Sequence, residues 1–103
     1  MADLVKSYCK ERVIFNLTKE QIDLFLTHKA VIRCHTIEQA NELARFVKAQ
    51  GIKWCSGNNV NDMRWYDYEQ DTCYSIDSSY RRNGLVYDQI QFYANHRFII
   101  LNA

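Results

Sequence analysis

The sequence predicts an α/β (α+β) domain, ordered β-α-β-loop-β-β-α-β, in a ferredoxin-like or related two-layer sandwich with an N-terminal helical extension. Three observations predict it: a capped amphipathic helix over residues 36–51, short apolar runs on both sides of it, and a strand, strand, helix, strand succession toward the C-terminus.

At the N-terminal end, Leu4, Val5, Tyr8 and Cys9 suit a helix while Val13-Ile14-Phe15 suits a strand, so residues 3–15 carry both readings. Thr18-Lys19-Glu20-Gln21 is a capping box with Leu17 and Ile22 at the hydrophobic-staple positions. It predicts a helix over 19–27 with Ile22, Phe25 and Leu26 inward, and residues 1–29 as an extension packed on the core of one domain at 30–103. Ala30-Val31-Ile32-Arg33-Cys34 reads as a strand. Thr36-Ile37-Glu38-Gln39 is a second capping box. Ala40, Leu43, Ala44 and Val47 follow at helical spacing, and Gly51 stands where a left-handed C-terminal cap belongs. Ile52-Lys53-Trp54-Cys55 then reads as a strand parallel to the first, closing a right-handed βαβ unit. Thr72 to Asp77 alternates as a half-buried strand, and Asn83-Gly84 signals a hairpin into Leu85-Val86-Tyr87. Asp88 to Gln91 looks like a cap opening a short helix to about Asn95, and Arg97 to Leu101 reads as a buried closing strand.

The chain of 103 residues has no proline to mark a linker and no apolar stretch long enough to span a membrane as a helix, which points to a single globular domain. Its start lacks the pattern of a secretory signal, so the expected compartment is the cytoplasm. There the cysteines Cys9, Cys34, Cys55 and Cys73 are expected as reduced, buried small hydrophobes. Thirteen Lys+Arg balance twelve Asp+Glu, which argues against both a duplex-DNA binder and an acidic DNA mimic.

Candidate chemistry concentrates in residues 56–71, because a connection of that length in a compact domain is usually functional or disordered. It carries Arg64-Trp65-Tyr66 and follows Lys53-Trp54-Cys55-Ser56-Gly57 directly. Trp and Arg are favoured anchors at binding surfaces, and a Ser-Gly-Asn turn can offer backbone N–H groups to an anion. The alternative is that Trp54, Trp65 and Tyr66 fold the loop onto the core. Tyr80-Arg81-Arg82-Asn83 adds a second basic and aromatic tip. The expected ligand-binding set is therefore Lys53, Trp54, Ser56, Gly57, Arg64, Trp65, Tyr66, Arg81 and Arg82. No metal-ligand spacing occurs, and His28, His35 and His96 read as surface or cap residues. Nucleophile elbows, phosphate loops and dinucleotide fingerprints are missing too, so neither a catalytic residue nor a cofactor is expected.

Residues 30–101 resemble small accessory proteins of bacteriophages of Gram-positive bacteria. The resemblance runs through Val31-Ile32-Arg33-Cys34, the helix from Thr36, Gly51-Ile52-Lys53-Trp54-Cys55-Ser56-Gly57, Trp65, and Thr72-Cys73-Tyr74-Ser75-Ile76. It implies a setting of counter-defence in the host cytoplasm, where such a protein blocks a defence enzyme or sequesters a nucleotide immune signal. Two expectations follow: a nucleotide-like anionic ligand, bound within one chain or across a homo-oligomer interface, and a protein inhibitor using Arg64, Trp65 and Tyr66. A third, by analogy with RRM domains, is single-stranded nucleic acid on the sheet face, where only Tyr74 offers a stacking platform.

Overall fold

Helix starts follow the capping chemistry written in the sequence. The computed structural model describes residues 17–77 and 84–103. The helix-or-strand alternatives for 3–15, the expectation for Cys9, and the basic tip with Arg81 and Arg82 lie outside the described residues. In α1 (Lys19–Leu26) the Thr18 hydroxyl accepts from the Gln21 N–H at 3.1 Å, and the Gln21 side chain accepts from the Thr18 N–H at 2.9 Å. Leu17 and Ile22 are both buried, as the staple requires. After β1 (Ala30–Arg33), α2 (Ile37–Ala49) opens on Thr36, whose hydroxyl accepts from Gln39 at 3.2 Å. The Gln39 side chain departs from the box. It accepts from the His35 N–H and donates to the Ala103 carbonyl at 2.9 Å, tying the C-terminal residues to the helix start.

Gly51, at φ +77°, ends α2 in a Schellman motif: the Ile52 N–H reaches the Val47 carbonyl at 2.9 Å and the Gly51 N–H that of Lys48 at 3.0 Å. His28 (φ +69°) after α1 and Arg97 (φ +62°) after α3 (Ile90–Asn95) hold the same left-handed position. Their following residues, Lys29 and Phe98, bond back to Leu24 and Tyr93 at 2.9 and 3.0 Å.

The sheet runs β3-β2-β1-β4, with β2 (Thr72–Asp77), β3 (Gly84–Gln89) and β4 (Ile99–Asn102). β1 pairs antiparallel with β2 and parallel with β4, and β2 pairs antiparallel with β3. The parallel β1-β4 pair makes this the related mixed-sheet form rather than an all-antiparallel one. α1 and α2 bury one face through Ile22, Phe25, Leu43 and Val47 against Ile32, Tyr74 and Leu85. α1 thus shares the core of the residues after it. On the opposite face α3 packs Tyr93 over Val31 and Cys73.

Four expectations change. β2 is buried on both faces rather than half-buried, since helices pack on either side of it and only Asp77 is partly exposed. Residues 52–55 make a single parallel bridge, Trp54 to Leu85, on the outer side of β3, so they run parallel to β1 but with β2 and β3 between. Asp88 does not cap α3: β3 stays paired through Gln89, and among the described residues the Asp88 carboxylate accepts only from the Gln89 N–H, at 2.7 Å. Continued ladder hydrogen bonds outweigh one capping bond here. The closing strand begins at Ile99 rather than Arg97 because the left-handed Arg97 still belongs to the end of α3. That strand is only partly buried, with Leu101 inside and Ile99 half exposed.

Gly84 is fixed by the bridge. A Cβ there would lie 2.5 Å from the Lys53 carbonyl oxygen and 2.9 Å from the Cys55 nitrogen, both main-chain atoms that cannot swing aside. Gly84→Ala is expected to destabilise the fold by about 1–3 kcal/mol, the usual range for overpacking, and to detach residues 53–55 from β3. Urea unfolding, with native-state hydrogen exchange of the Leu85 N–H that bonds to the Lys53 carbonyl, checks both effects.

Candidate functional site

The 56–71 connection is ordered by its own side chains. Val60 and Met63 are buried in the main core, and the Tyr74 hydroxyl donates to the Met63 carbonyl at 2.8 Å. The Trp65 indole N–H donates to the Cys34 carbonyl at 3.0 Å, and the Thr72 hydroxyl to the Trp65 carbonyl at 3.2 Å. Two short 3-10 turns, Trp65–Asp67 and Glu69–Asp71, lead into β2. Arg33 clamps the second through the Gln70 carbonyl at 2.9 Å and the Asp71 carboxylate at 3.2 Å.

Between this segment and β3 lies an open cleft of about 490 Å³. Its apolar wall is Trp54, Leu85 and Tyr87. The Trp54 and Tyr87 rings meet edge to face, with centroids 5.8 Å apart and planes at 64°. Tyr87 also touches Tyr68 at 5.8 Å and stacks on the buried Tyr74 at 6.2 Å, so four aromatic rings brace one another. The polar rim is Ser56, Asn58, Asn59, Asn61, Asp62 and Arg64. The Tyr87 hydroxyl donates to the Asp67 carboxylate, which together with burial pushes its pKa up to about 12.

The residues expected at a site separate. Trp54, Ser56 and Arg64 line the cleft. Lys53 faces a neighbouring cleft, and its carbonyl accepts from Leu85 at 2.8 Å. Gly57 (φ +96°) gives its N–H to the Trp54 carbonyl at 2.8 Å, so that donor is already engaged within the turn. Arg64 is left-handed, its N–H bonded to the Asp62 carboxylate at 2.9 Å and its guanidinium 3.5 Å from Asp67. Trp65 is a structural peg that folds the loop onto the core. Tyr66 is 69% exposed beside a smaller groove with Ile37 and Asn41. Tyr74 is fully buried under α1 and α2, so the sheet-face platform for single strands is missing its aromatic.

Sequence reasoning missed Tyr87 and the asparagines. The run Asn58-Asn59-Val60-Asn61-Asp62 was a visible signal, with Val60 its inward anchor. Tyr87 carried none, because only the register that sets it opposite Tyr74 brings it beside Trp54.

Cys34 and Cys73 are buried as expected, whereas Cys55 is only partly so and sets its sulfur 3.5 Å from the Gly84 carbonyl. His28 and His96 are cap residues, with ring nitrogens on the Ile76 and Phe92 carbonyls. Among the described residues no three His, Cys, Asp or Glu side chains group as metal ligands, and no helix is long and apolar enough to cross a membrane. Comparison with protein-family models, with curated proteins and with solved structures finds no match for this chain.

Proposed function

We propose that this chain is a non-catalytic binding module whose cleft takes the base of a nucleotide-like ligand. The observation that carries the reading is the pairing of half-buried Trp54 and Tyr87 rings with a rim of amides. Among the described residues, the side chains of Asn58, Asn59 and Asn61 make no hydrogen bond within the protein. Aromatic faces stack on any base, and amides match the donor and acceptor pattern of base edges. The non-catalytic half rests on the sequence, which carries no nucleophile elbow, phosphate loop or dinucleotide fingerprint. In the phage setting implied by the sequence resemblance, such a module would sequester a nucleotide immune signal in the host cytoplasm.

Calorimetry against linear and cyclic nucleotides tests the reading. Trp54→Leu is expected to weaken binding about ten- to a hundredfold, the usual worth of one base-aromatic stack of about 1–3 kcal/mol. Uniformly absent binding would reject the proposal. A second reading, a protein inhibitor, is favoured by one observation, the exposed Tyr66 ring beside Arg64. Tyr66→Ala separates the two: it leaves nucleotide binding unchanged in the first and abolishes retention of a host defence protein in the second.

A further inference from the structure

A second cleft of about 290 Å³ adjoins the first, lined by Lys48, Lys53, Asn59 and Asn61 with the main chain at Gly51. Asn59 and Asn61 line both clefts, so a single strand of chain separates them. The Asn61 N–H bonds to the Asn59 carbonyl at 3.0 Å, closing a three-residue turn about Val60. Val60 is buried, and the two asparagines on either side of it are exposed.

The clefts differ in charge. In the first, Arg64 is paired with Asp67, and Asp62 adds a further carboxylate to the lining, so no net positive field faces a ligand. The second has two ammonium groups and no carboxylate in its lining. Arg33, Arg45 and Arg64 each pair with an acid, whereas Lys48 and Lys53 have no ion-pair partner among the described residues. Lys48 lies in the last turn of α2, where the helix field favours a cation and opposes an anion, and the Gly51 and Ile52 N–H groups are used in the helix cap. An anion there must therefore be held by side chains.

Resting on the base-binding reading above, we propose that Lys48 and Lys53 form the phosphate subsite of the same ligand: a phosphorylated nucleoside whose base fills the aromatic cleft and whose phosphate groups cross the asparagine ridge to the lysines. Lysine serves as a point charge for phosphate, and the two ammonium groups supply the positive field that Arg64 does not. The free N–H groups first expected of the Ser56-Gly57 turn are not required.

The test is calorimetric titration with guanosine and adenosine, their 5′-mono- and triphosphates, and inorganic tripolyphosphate. The proteins are the parent chain, Trp54→Leu, and Lys48→Gln/Lys53→Gln, whose exposed substitutions leave the core intact. The expected result is at least tenfold tighter binding of the triphosphates than of the nucleosides. That gap should shrink with added salt and vanish in the double lysine variant, with nucleoside affinity unchanged. If nucleosides bind through Trp54 but the gap is absent, or survives in the lysine variant, the phosphate subsite is overturned and the base-binding reading stands. If only tripolyphosphate binds, through the lysines and indifferent to Trp54→Leu, the base-binding reading fails and the shared-ligand proposal fails with it. Binding by none of the compounds overturns both.

Discussion

Replacing Tyr74 by alanine is expected to lower the unfolding free energy by about 3–5 kcal/mol, the cost of deleting a large buried aromatic and leaving a cavity. Tyr74 is fully buried in the centre of the sheet, stacked at 6.2 Å on Tyr87 above and bonded through its hydroxyl to the Met63 carbonyl. The substitution therefore removes core volume, one wall support of the cleft and one anchor of the 56–71 segment together. Tyr74→Phe keeps the ring and strips the donor, leaving a carbonyl unpaired at about 1–3 kcal/mol. Chemical denaturation of both variants measures the difference. Equal losses would mean that the Met63 bond, and not the ring, sets the stability; an unchanged Tyr74→Phe would mean the reverse.

Stability should fall steeply at alkaline pH. Burial pushes the thiols of Cys34 and Cys73 up to about 12, burial does the same for the Tyr93 hydroxyl, and it raises Tyr74 further still. These groups stay neutral in the folded protein, while in the unfolded chain thiols ionise near 9 and phenols near 10. Over that interval the unfolded state holds fewer protons, so raising the pH favours unfolding. The stabilisation is fully present below pH 9 and is lost progressively as the pH climbs toward 12. Each fully titrating group contributes roughly 1 kcal/mol per pH unit. Tyr87, partly in water, adds less. Urea midpoints at pH 8, 9.5 and 10.5 should drop at each step, with Cys34→Ala showing a shallower fall. A midpoint constant to pH 10.5 would contradict the assignment of these groups as buried and neutral.

Local chemistry was legible where one residue type announces it. Thr18 and Thr36 named two helix starts, and Gly51 named one helix end. The other two ends use the same backbone geometry, yet His28 and Arg97 hide it, because only glycine or asparagine advertises a left-handed position. The end of β3 was misread for a related reason. Asp88 and Gln91 have the right spacing for a cap, but the ladder to Thr72 and Cys73 is a non-local fact. The site divided along the same line. The aromatics near 54–66 were identifiable, but which of them folds the loop and which faces the cleft depended on partners distant in sequence: Cys34 for Trp65, Leu85 and Tyr87 for Trp54.

The bridge between Trp54 and Leu85 has a bearing on how copies of this chain could meet. An outer strand with unsatisfied backbone groups is a template on which another chain can zip up, and proteins restrain such templates by covering them. Here the Leu85 N–H and carbonyl are taken by Lys53 and Cys55 at 2.8 and 3.1 Å, so the chain itself covers the outer margin of β3 at that residue. The opposite margin is β4, whose Ile99-Ile100-Leu101 carries no charge and whose Ile99 is 50% exposed. Strand addition at Leu85 is thereby blocked, whereas no bridge of this kind covers β4 among the described residues.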